Sequence, residues 1–294
     1  MSRLWRRNRH WVTPALFLLP GLILFGTVIL AASIETVWIS LHDWDGIGAK
    51  TWVGLANYVE LVDDPQFYVS LKNNVIWLLI FMLAPPIGLA LALIVNQQIR
   101  GMRILKSLFF VPLVLATVTV GVVFGWVYDP NFGLLQLVFS AFGATAPALL
   151  SNETFVTFAV AAAALWPQIA FCMILFLAGL NSLNDDLIAA GRVDGARGWR
   201  MLRHVVLPQL SQVGFIAIAV TVIGALRSFD MIAVMTSGGP YGSSTVLAYQ
   251  MYQESIFSYR FGYGAAIATV LFVIMIVFIA WYLNGLIKAE GSNA

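Results

Sequence analysis

Hydrophobic residues in this chain are grouped into long, nearly uninterrupted runs separated by shorter polar segments. Six runs are long enough to matter, because about 20 apolar residues cross the hydrocarbon core of a bilayer as an α-helix. They cover Pro14–Ile39, Leu71–Val95, Leu108–Val127, Phe155–Leu180, Val213–Met235 and Ala265–Ile287. A helix satisfies its backbone hydrogen bonds within its own segment, so the pattern predicts an all-α membrane protein with six transmembrane helices.

The composition excludes an ordinary soluble protein. Hydrophobic residues make up 60% of the 294 residues and charged residues 10%, against about 45–50% and about 25% in soluble domains. The formal net charge of +2 is too close to balance to indicate a nucleic-acid partner. The chain has one cysteine, Cys172, and three dispersed histidines, so we expect no internal disulfide and no metal site.

The first apolar run could be either a retained span or a cleaved signal peptide. It follows four arginines and contains the small residues Ala31-Ala32-Ser33. Its apolar stretch is longer than the roughly 7–15 residues of a signal-peptide core. A retained first span is therefore the favoured interpretation.

Positive residues alternate from one side of the predicted membrane to the other. One side holds Arg3, Arg6, Arg7, Arg9, Arg100, Arg103, Lys106, Arg192, Arg197, Arg200, Arg203 and Lys288. The opposite side holds Lys50, Lys72 and Arg260. Because Lys and Arg beside membrane spans stay in the cytoplasm, the alternation predicts that both termini are cytoplasmic.

Two external loops are rich in residues that favour ordered structure at a membrane surface. They are His42–Ser70 and Asp129–Glu153, and we expect both to skim the membrane. Asp43-Trp44-Asp45 in the first loop matches the metal-binding Asp-x-Asp of glycosyltransferases. That match is only three residues long, and the chain lacks Gly-x-Ser-x-Gly, His-Glu-x-x-His and Cys-x-x-Cys. A membrane enzyme is therefore the weakest functional hypothesis, and we predict no catalytic residue.

The most informative segment is the predicted cytoplasmic loop 181–209. Ser182 or Asn184 can cap a short helix whose first turn contains two aspartates, as the helix dipole favours. Asp194-Gly195 should end this helix, and Trp199–Val206 resumes a helical pattern. The loop is thus predicted to be a rigid knob that a partner subunit could grip.

The same loop resembles a known motif. Ile188–Ala196, read as Ile-Ala-Ala-Gly-Arg-Val-Asp-Gly-Ala and followed by Leu207-Pro208, is similar to the "EAA" loop of binding-protein-dependent ABC importer permeases. The usual glutamate falls on Ala189 and the last alanine on Gly191, so the glutamate's ion pair with the ATPase is missing here. The residues that the resemblance assigns to ATPase coupling are Asp186, Ala189, Ala190, Gly191, Asp194, Gly195, Ala196, Leu207 and Pro208. Pro208 is expected to end the second helix, and Asp194 to bond the amides at its start.

Further segments extend the resemblance to the carbohydrate branch of that family, from the first external loop to the last span. They are Val53–Tyr58, Asn73-Asn74, Arg100-Gly101, Phe109–Pro112, Trp126, Asp129-Pro130, Gly133–Leu135, Phe229-Asp230, Thr236–Pro240 and Ser244-Thr245. Their order and spacing make the match specific.

The resemblance implies a type I permease-like subunit of a multi-pass importer in the bacterial inner (plasma) membrane. It implies three protein partners: a second, homologous permease forming a heterodimer, a pair of ATPase subunits, and an extracytoplasmic solute-binding protein. ATP and Mg would bind to the ATPase, since this chain has no Gly-x-x-x-x-Gly-Lys-Ser/Thr. The chain itself is then no enzyme and carries no cofactor. The implied solute is a sugar or sugar-like molecule: a polyol, glycoside, modified sugar or glycerol-phosphate type.

Patterning and resemblance together predict four parts of the chain. Residues 1–10 form a cytoplasmic tail, and residues 11–70 form the first transmembrane helix with its external loop. Residues 71–287 form a five-helix permease core containing the coupling loop 181–209, and residues 288–294 form the C-terminal tail.

Five polar or aromatic residues in the spans are candidates for the solute pathway: Asn74, Trp166, Gln168, Arg227 and Asp230. Polar groups inside a membrane usually face a cavity or one another. Trp166 and Gln168 flank Pro167, which is expected to kink the fourth span, and an aromatic face with an amide suits a sugar. Arg227 and Asp230 are expected to share a helix face. Packing roles, or a purely structural ion pair, are the alternatives.

A different transport class remains as the alternative function. An ion-coupled secondary transporter of a polar solute would need buried carboxylates for its coupling ion. Only Glu35 and Asp230 are available in the predicted spans, so this alternative has little support from the sequence.

Overall fold

The computed structural model describes residue 14, residues 16–97 and residues 102–291. The predicted tail 1–10 and residues 292–294 lie outside the described residues. The helices are α1 (Leu16–Ile39), α2 (Ala56–Asp63), α3 (Pro65–Phe81), α4 (Ala84–Val95), α5 (Met102–Val114), α6 (Thr117–Val127), α7 (Leu134–Ala141), α8 (Val156–Asn181), α9 (Asp185–Val193), α10 (Trp199–Gln209), α11 (Ser211–Leu226), α12 (Asp230–Met235), α13 (Leu247–Tyr252) and α14 (Phe261–Gly291). Strands β1 (His42–Asp43) and β2 (Thr51–Trp52) form an antiparallel hairpin. The predicted helical class is confirmed apart from this hairpin.

The membrane spans are of two kinds. In the described part of the chain, α1, α3 with α4, α8 and α14 are each long and apolar enough to cross a bilayer. Two further pairs reach that length only as bent spans: α5 with α6, bent by 106°, and α10 with α11, bent by 73°. The count is six when each bent pair is one span. The third predicted span bends because Ala116 has an extended backbone, with ψ of 140°, which interrupts the helix.

The fifth predicted span, Val213–Met235, is wrong as a single helix. Helix α11 ends at Leu226, the next three residues are not helical, and α12 begins at Asp230. On its other side, α11 is preceded by α10 across a 73° bend at Leu210. Apolar residues on both sides of the break hide its short polar segment from a hydropathy average.

The described residues form two compact units. The first contains the chain up to Asp63 together with Met251–Val270, and the second contains Asp64–Gln250 and the chain from Leu271 onward. In the first unit, Asn57 Nδ2 donates to the carbonyls of Ser40 (2.8 Å) and His42 (3.0 Å), which ties α2 to the end of α1 and to the hairpin.

The first unit also contains an ion-pair cluster. Arg260 donates to both carboxylate oxygens of Glu60 and lies 3.7 Å from Glu254. The hydrogen bonds to Glu60 raise the pKa of Arg260 above its ordinary value. Because these side chains are partly exposed, the cluster orients α2 more than it stabilises the fold.

In the second unit, α4 packs along α8 around an apolar core. Its buried members include Ala84, Ala92, Val95, Cys172, Met173 and Phe176. The helices approach closely at Gly88, where a Cβ would lie 2.6 Å from Cys172 Cβ and 2.8 Å from the Met173 nitrogen. Small residues permit such backbone contact in membrane helices.

We expect Gly88→Val to destabilise the second unit, because the new side chain meets backbone atoms that cannot move aside. Overpacking of this kind costs at least about 1–3 kcal/mol. Gly125→Val is the matched control, since Gly125 also lies in a helix and has nothing within 4 Å of a Cβ. The measurement is thermal unfolding of the purified chain in detergent. Equal midpoints for the two variants would contradict the packing assignment.

Candidate functional site

The second unit contains an open cavity of about 500 Å³. Its walls come from α3, the bend between α5 and α6, α8, α11 and the break between α11 and α12. The lining combines aromatic and apolar side chains with a few polar groups: Trp77, Phe81, Pro112, Leu113, Leu115, Thr117, Ala164, Pro167, Gln168, Phe171, Val220, Ile223, Gly224, Arg227, Ser228, Phe229, Asp230 and Met231. Mostly apolar walls with a few polar groups are typical of small-molecule sites.

Arg227 and Asp230 lie at the break, on either side of the non-helical residues. Arg227 caps the C-terminus of α11 and Asp230 opens the first turn of α12. The expected shared helix face is therefore wrong, and no ion pair joins the two in the described chain. Each charge instead complements its own helix dipole, a cation at a C-terminus and an anion at an N-terminus. Both side chains are exposed to the cavity.

The amide nitrogen and the amide oxygen of Gln168 have different surroundings. Its Nε2 donates to Thr221 Oγ1 at 2.9 Å and lies 3.9 Å from Cys172 Sγ, so the amide nitrogen joins α8 to α11. Its Oε1 has no hydrogen-bond partner in the described chain. The neighbouring Pro167 does not end α8, which is continuous from Val156 to Asn181. Pro167 and Gln168 both line the cavity.

Two other candidates lie outside the cavity lining. Asn74 is 2% exposed; it donates to the Leu226 carbonyl at 3.3 Å and accepts from the Leu247 N–H at 2.9 Å. It therefore holds the end of α11, next to Arg227. Trp166 packs edge-on against Phe124, with ring centroids 5.8 Å apart.

Sequence reasoning missed the aromatic part of the cavity. Trp77, Phe81, Phe171 and Phe229 line it, yet they lie in apolar runs where a core aromatic and a cavity aromatic look alike. Their local sequence therefore carries no signal that would have identified them.

The cytoplasmic loop has the predicted helix start. Asn184 accepts from the Asp186 N–H at 2.9 Å, as an N-cap does, and Asp185 and Asp186 occupy the first turn of α9. Gln209 closes the loop, because its Oε1 accepts from the Asn184 N–H at 3.0 Å. This bond joins the start of α9 to the end of α10.

The Asp194-Gly195-Ala196 segment forms a Schellman cap. The Gly195 N–H donates to the Arg192 carbonyl at 3.1 Å and the Ala196 N–H to the Gly191 carbonyl at 2.9 Å, which is the bonding pattern of that motif. Gly195 has a φ of +80°, as the motif requires. The Asp-Gly-Ala part of the motif is therefore the segment that ends α9.

The start of α10 differs from expectation. Gly198, with a φ of +50°, precedes it and no side chain caps it, so the bond expected from Asp194 is not formed. Pro208 does not end the helix either, because Leu207–Gln209 continue it. Residues 202–206 just before form a π-helical turn, which accommodates a proline that cannot join an α-helical ladder.

Of the remaining residues of the motif, some are buried against α10 and others are exposed to solvent. Gly191 is buried, and a Cβ there would lie 2.9 Å from Val205 Cγ2. Ala189 and Ala190 are exposed on α9. Three large apolar side chains of the loop are also exposed: Leu187 at 51%, Val193 at 88% and Trp199 at 67%.

Comparison with known proteins identifies the family. Residues 84–288 match the model of the inner membrane component of binding-protein-dependent transport systems. A probable ABC transporter permease of Pyrococcus horikoshii is 34% identical over 94% of this chain and 96% of its own length. The trehalose/maltose transport system permease MalF of Thermococcus litoralis is 32% identical over 92% of each chain.

Solved structures show the same fold. The chain matches a bacterial ABC transporter involved in alginate import, with a TM-score of 0.83 at 20% identity over 96% of this chain and 98% of the other. The match confirms the permease-like fold expected from the resemblance, and the ion-coupled and enzyme alternatives have no support. The chain belongs to the ABC transporter permeases, the inner membrane components of binding-protein-dependent transport systems.

Proposed function

We propose that this chain is the permease subunit of an ATP-driven importer that moves a sugar or sugar-like solute across the inner membrane. The observation that carries the proposal is its 32% identity to a trehalose/maltose permease along 92% of the chain. The cavity supports it, because aromatic rings can stack on a sugar ring while charged groups bond its hydroxyls. Polyols, glycosides, modified sugars and glycerol phosphate belong to the same solute class.

The proposed complex has four kinds of component. This chain and a second permease form a heterodimer, an ATPase pair binds ATP and Mg on the cytoplasmic side, and a binding protein delivers solute from outside. The exposed apolar side chains of the loop, Leu187, Val193 and Trp199, support an ATPase contact, because water-exposed apolar groups gain by burial. Closure of the ATPases would move the loop, and α8 and α11 would carry the motion to the cavity.

Transport in a purified system tests this function. The chain is reconstituted in proteoliposomes with the permease, ATPase and binding protein encoded beside it, and uptake of labelled maltose, trehalose, glycerol and glycerol phosphate is measured. We expect uptake of one of these solutes that needs both ATP and the binding protein. Uptake that follows an ion gradient without ATP would contradict the proposal.

Membrane orientation can be tested independently with single cysteines. In a Cys172→Ala background, cysteines at Ser2, Ser182 and Ser292 should react only from the cytoplasm, and cysteines at Ala49 and Ser151 only from outside. The reason is the alternation of Lys and Arg between loops. Ser2 and Ser292 lie outside the described residues, so Ser182 is the decisive position. Its labelling from outside in intact cells would contradict the six-span topology.

A further inference from the structure

A tight turn between the two strands of the first unit carries an exposed apolar tip. Asp45 Oδ1 accepts from the N–H groups of Ile47 (2.9 Å) and Gly48 (2.7 Å), and Trp44 Nε1 donates to the Gly48 carbonyl at 2.9 Å. The bonds from Gly48 and Ile47 hold the pKa of Asp45 below its ordinary value. At the tip of this bonded turn, the Ile47 residue is 87% exposed.

The turn lies against the first residue of the last membrane span. The Trp44 and Phe261 rings have centroids 5.5 Å apart, and the Gly262 N–H donates to the Trp44 carbonyl at 3.2 Å. A Cβ on Gly46 would overlap the Phe261 ring. The span Phe261–Gly285 begins at this ring, so the turn lies beside the external end of that span.

The end of the first span lies beside the same turn. Lys50 Nζ lies 3.6 Å from Glu35 Oε1, and Glu35 is one helical turn before the end of α1 at Ile39. The same ammonium lies 4.5 Å from the centroid of Trp44. The segment therefore folds back along the end of α1 rather than away from it.

We propose that the turn Trp44–Lys50 is a membrane anchor that inserts Ile47 into the outer leaflet of the bilayer. Trp44 and Lys50 then lie in the headgroup region, where tryptophan is enriched and lysine extends its ammonium toward water and phosphate. We favour the bilayer over a protein partner because the turn packs beside the external ends of two membrane spans. The inference rests on the chain spanning the membrane and is independent of its solute.

A spin label at Ile47 tests the anchor in the assembled transporter. Ile47→Cys is made in a Cys172→Ala background, labelled, and placed in nanodiscs of phosphatidylethanolamine and phosphatidylglycerol. We expect oxygen to relax the label several-fold more effectively than a water-soluble nickel chelate does. Tyr241→Cys, at a residue that is 94% exposed in the loop between α12 and α13, is the aqueous reference and should show the opposite order.

Two results would overturn the anchor. Strong relaxation by the nickel chelate at position 47 would place the tip in water, and weak relaxation by both agents would place it under another protein. If the label at 47 disturbs the turn, a fluorophore on Ala49→Cys leaves Ile47 intact. Lipids brominated near the headgroup should then quench this fluorophore more than the same one at Tyr241→Cys, and equal quenching would also contradict the anchor.

Discussion

Gly195→Val is expected to abolish solute-stimulated ATP hydrolysis in the reconstituted complex while the chain still inserts and assembles. Gly195 ends α9 with a φ of +80° and donates to the Arg192 carbonyl. A residue with a Cβ pays at least about 1–2 kcal/mol in this conformation, and a β-branched one adopts it least readily. Nothing lies within 4 Å of a Cβ at this position, so the effect comes from backbone geometry. Helix α9 would end differently and present its apolar side chains at another angle.

Two variants serve as controls for the loop. Gly195→Asn should keep much of the stimulation, because asparagine tolerates a positive φ better than other residues with a Cβ. Ala189→Ser should matter much less than Gly195→Val, since Ala189 is exposed and the glutamate usual at this position is already absent. If Gly195→Val hydrolyses ATP like the wild type with binding protein and solute present, the loop is not the coupling element.

Asp230→Asn is expected to lower solute uptake by about tenfold or more at limiting solute, with normal assembly. Its carboxylate faces the cavity without a partner among the described residues, and a hydrogen bond to a charged group contributes about 1.5–3 kcal/mol. Arg227→Gln should act in the same direction, because its guanidinium is equally unpaired in the described chain. The measurement is initial uptake against solute concentration in proteoliposomes.

Variants elsewhere separate a solute contact from a general effect of charge. Asp63→Asn removes an exposed carboxylate of α2, far in sequence from the cavity, and should leave uptake unchanged.

Gln168→Ala should reduce uptake, as Asp230→Asn does, although it additionally breaks the bond to Thr221 between α8 and α11. Trp166 lies outside the lining, so a smaller effect is expected there. Normal transport by both Gln168→Ala and Asp230→Asn at limiting solute would remove these residues from the pathway.

The sequence was sufficient for features that depend on local composition. Hydropathy located the membrane segments, and the cap at Asn184 and the turn at Gly195 could be predicted because each depends on one residue type at a helix end. The break after Leu226 could not be predicted, because a helix can end without Pro or Gly when buried side chains such as Asn74 hold its last carbonyl.

The aromatic residues of the cavity could not be predicted either, because they come together through tertiary packing. Trp77 and Phe171 belong to different helices and meet at the cavity only through packing. Neither differs in its local sequence from an aromatic residue facing lipid or core. Charge at the fifth span was visible in the sequence, but the arrangement that leaves Arg227 and Asp230 apart depends on where two helices end.

The break between α11 and α12 allows occupancy of the cavity to be followed without attaching a probe to the protein. The Ser228 N–H makes only a long bond to Ala225, at 3.4 Å, between two helices whose amides are bonded throughout their interiors. Amide protons exchange with deuterium where such bonds are weak or missing. Mass spectrometry should therefore find rapid exchange at Ser228, and solute arriving beside Arg227 and Asp230 should slow it, so transport intermediates could be followed on an unmodified chain.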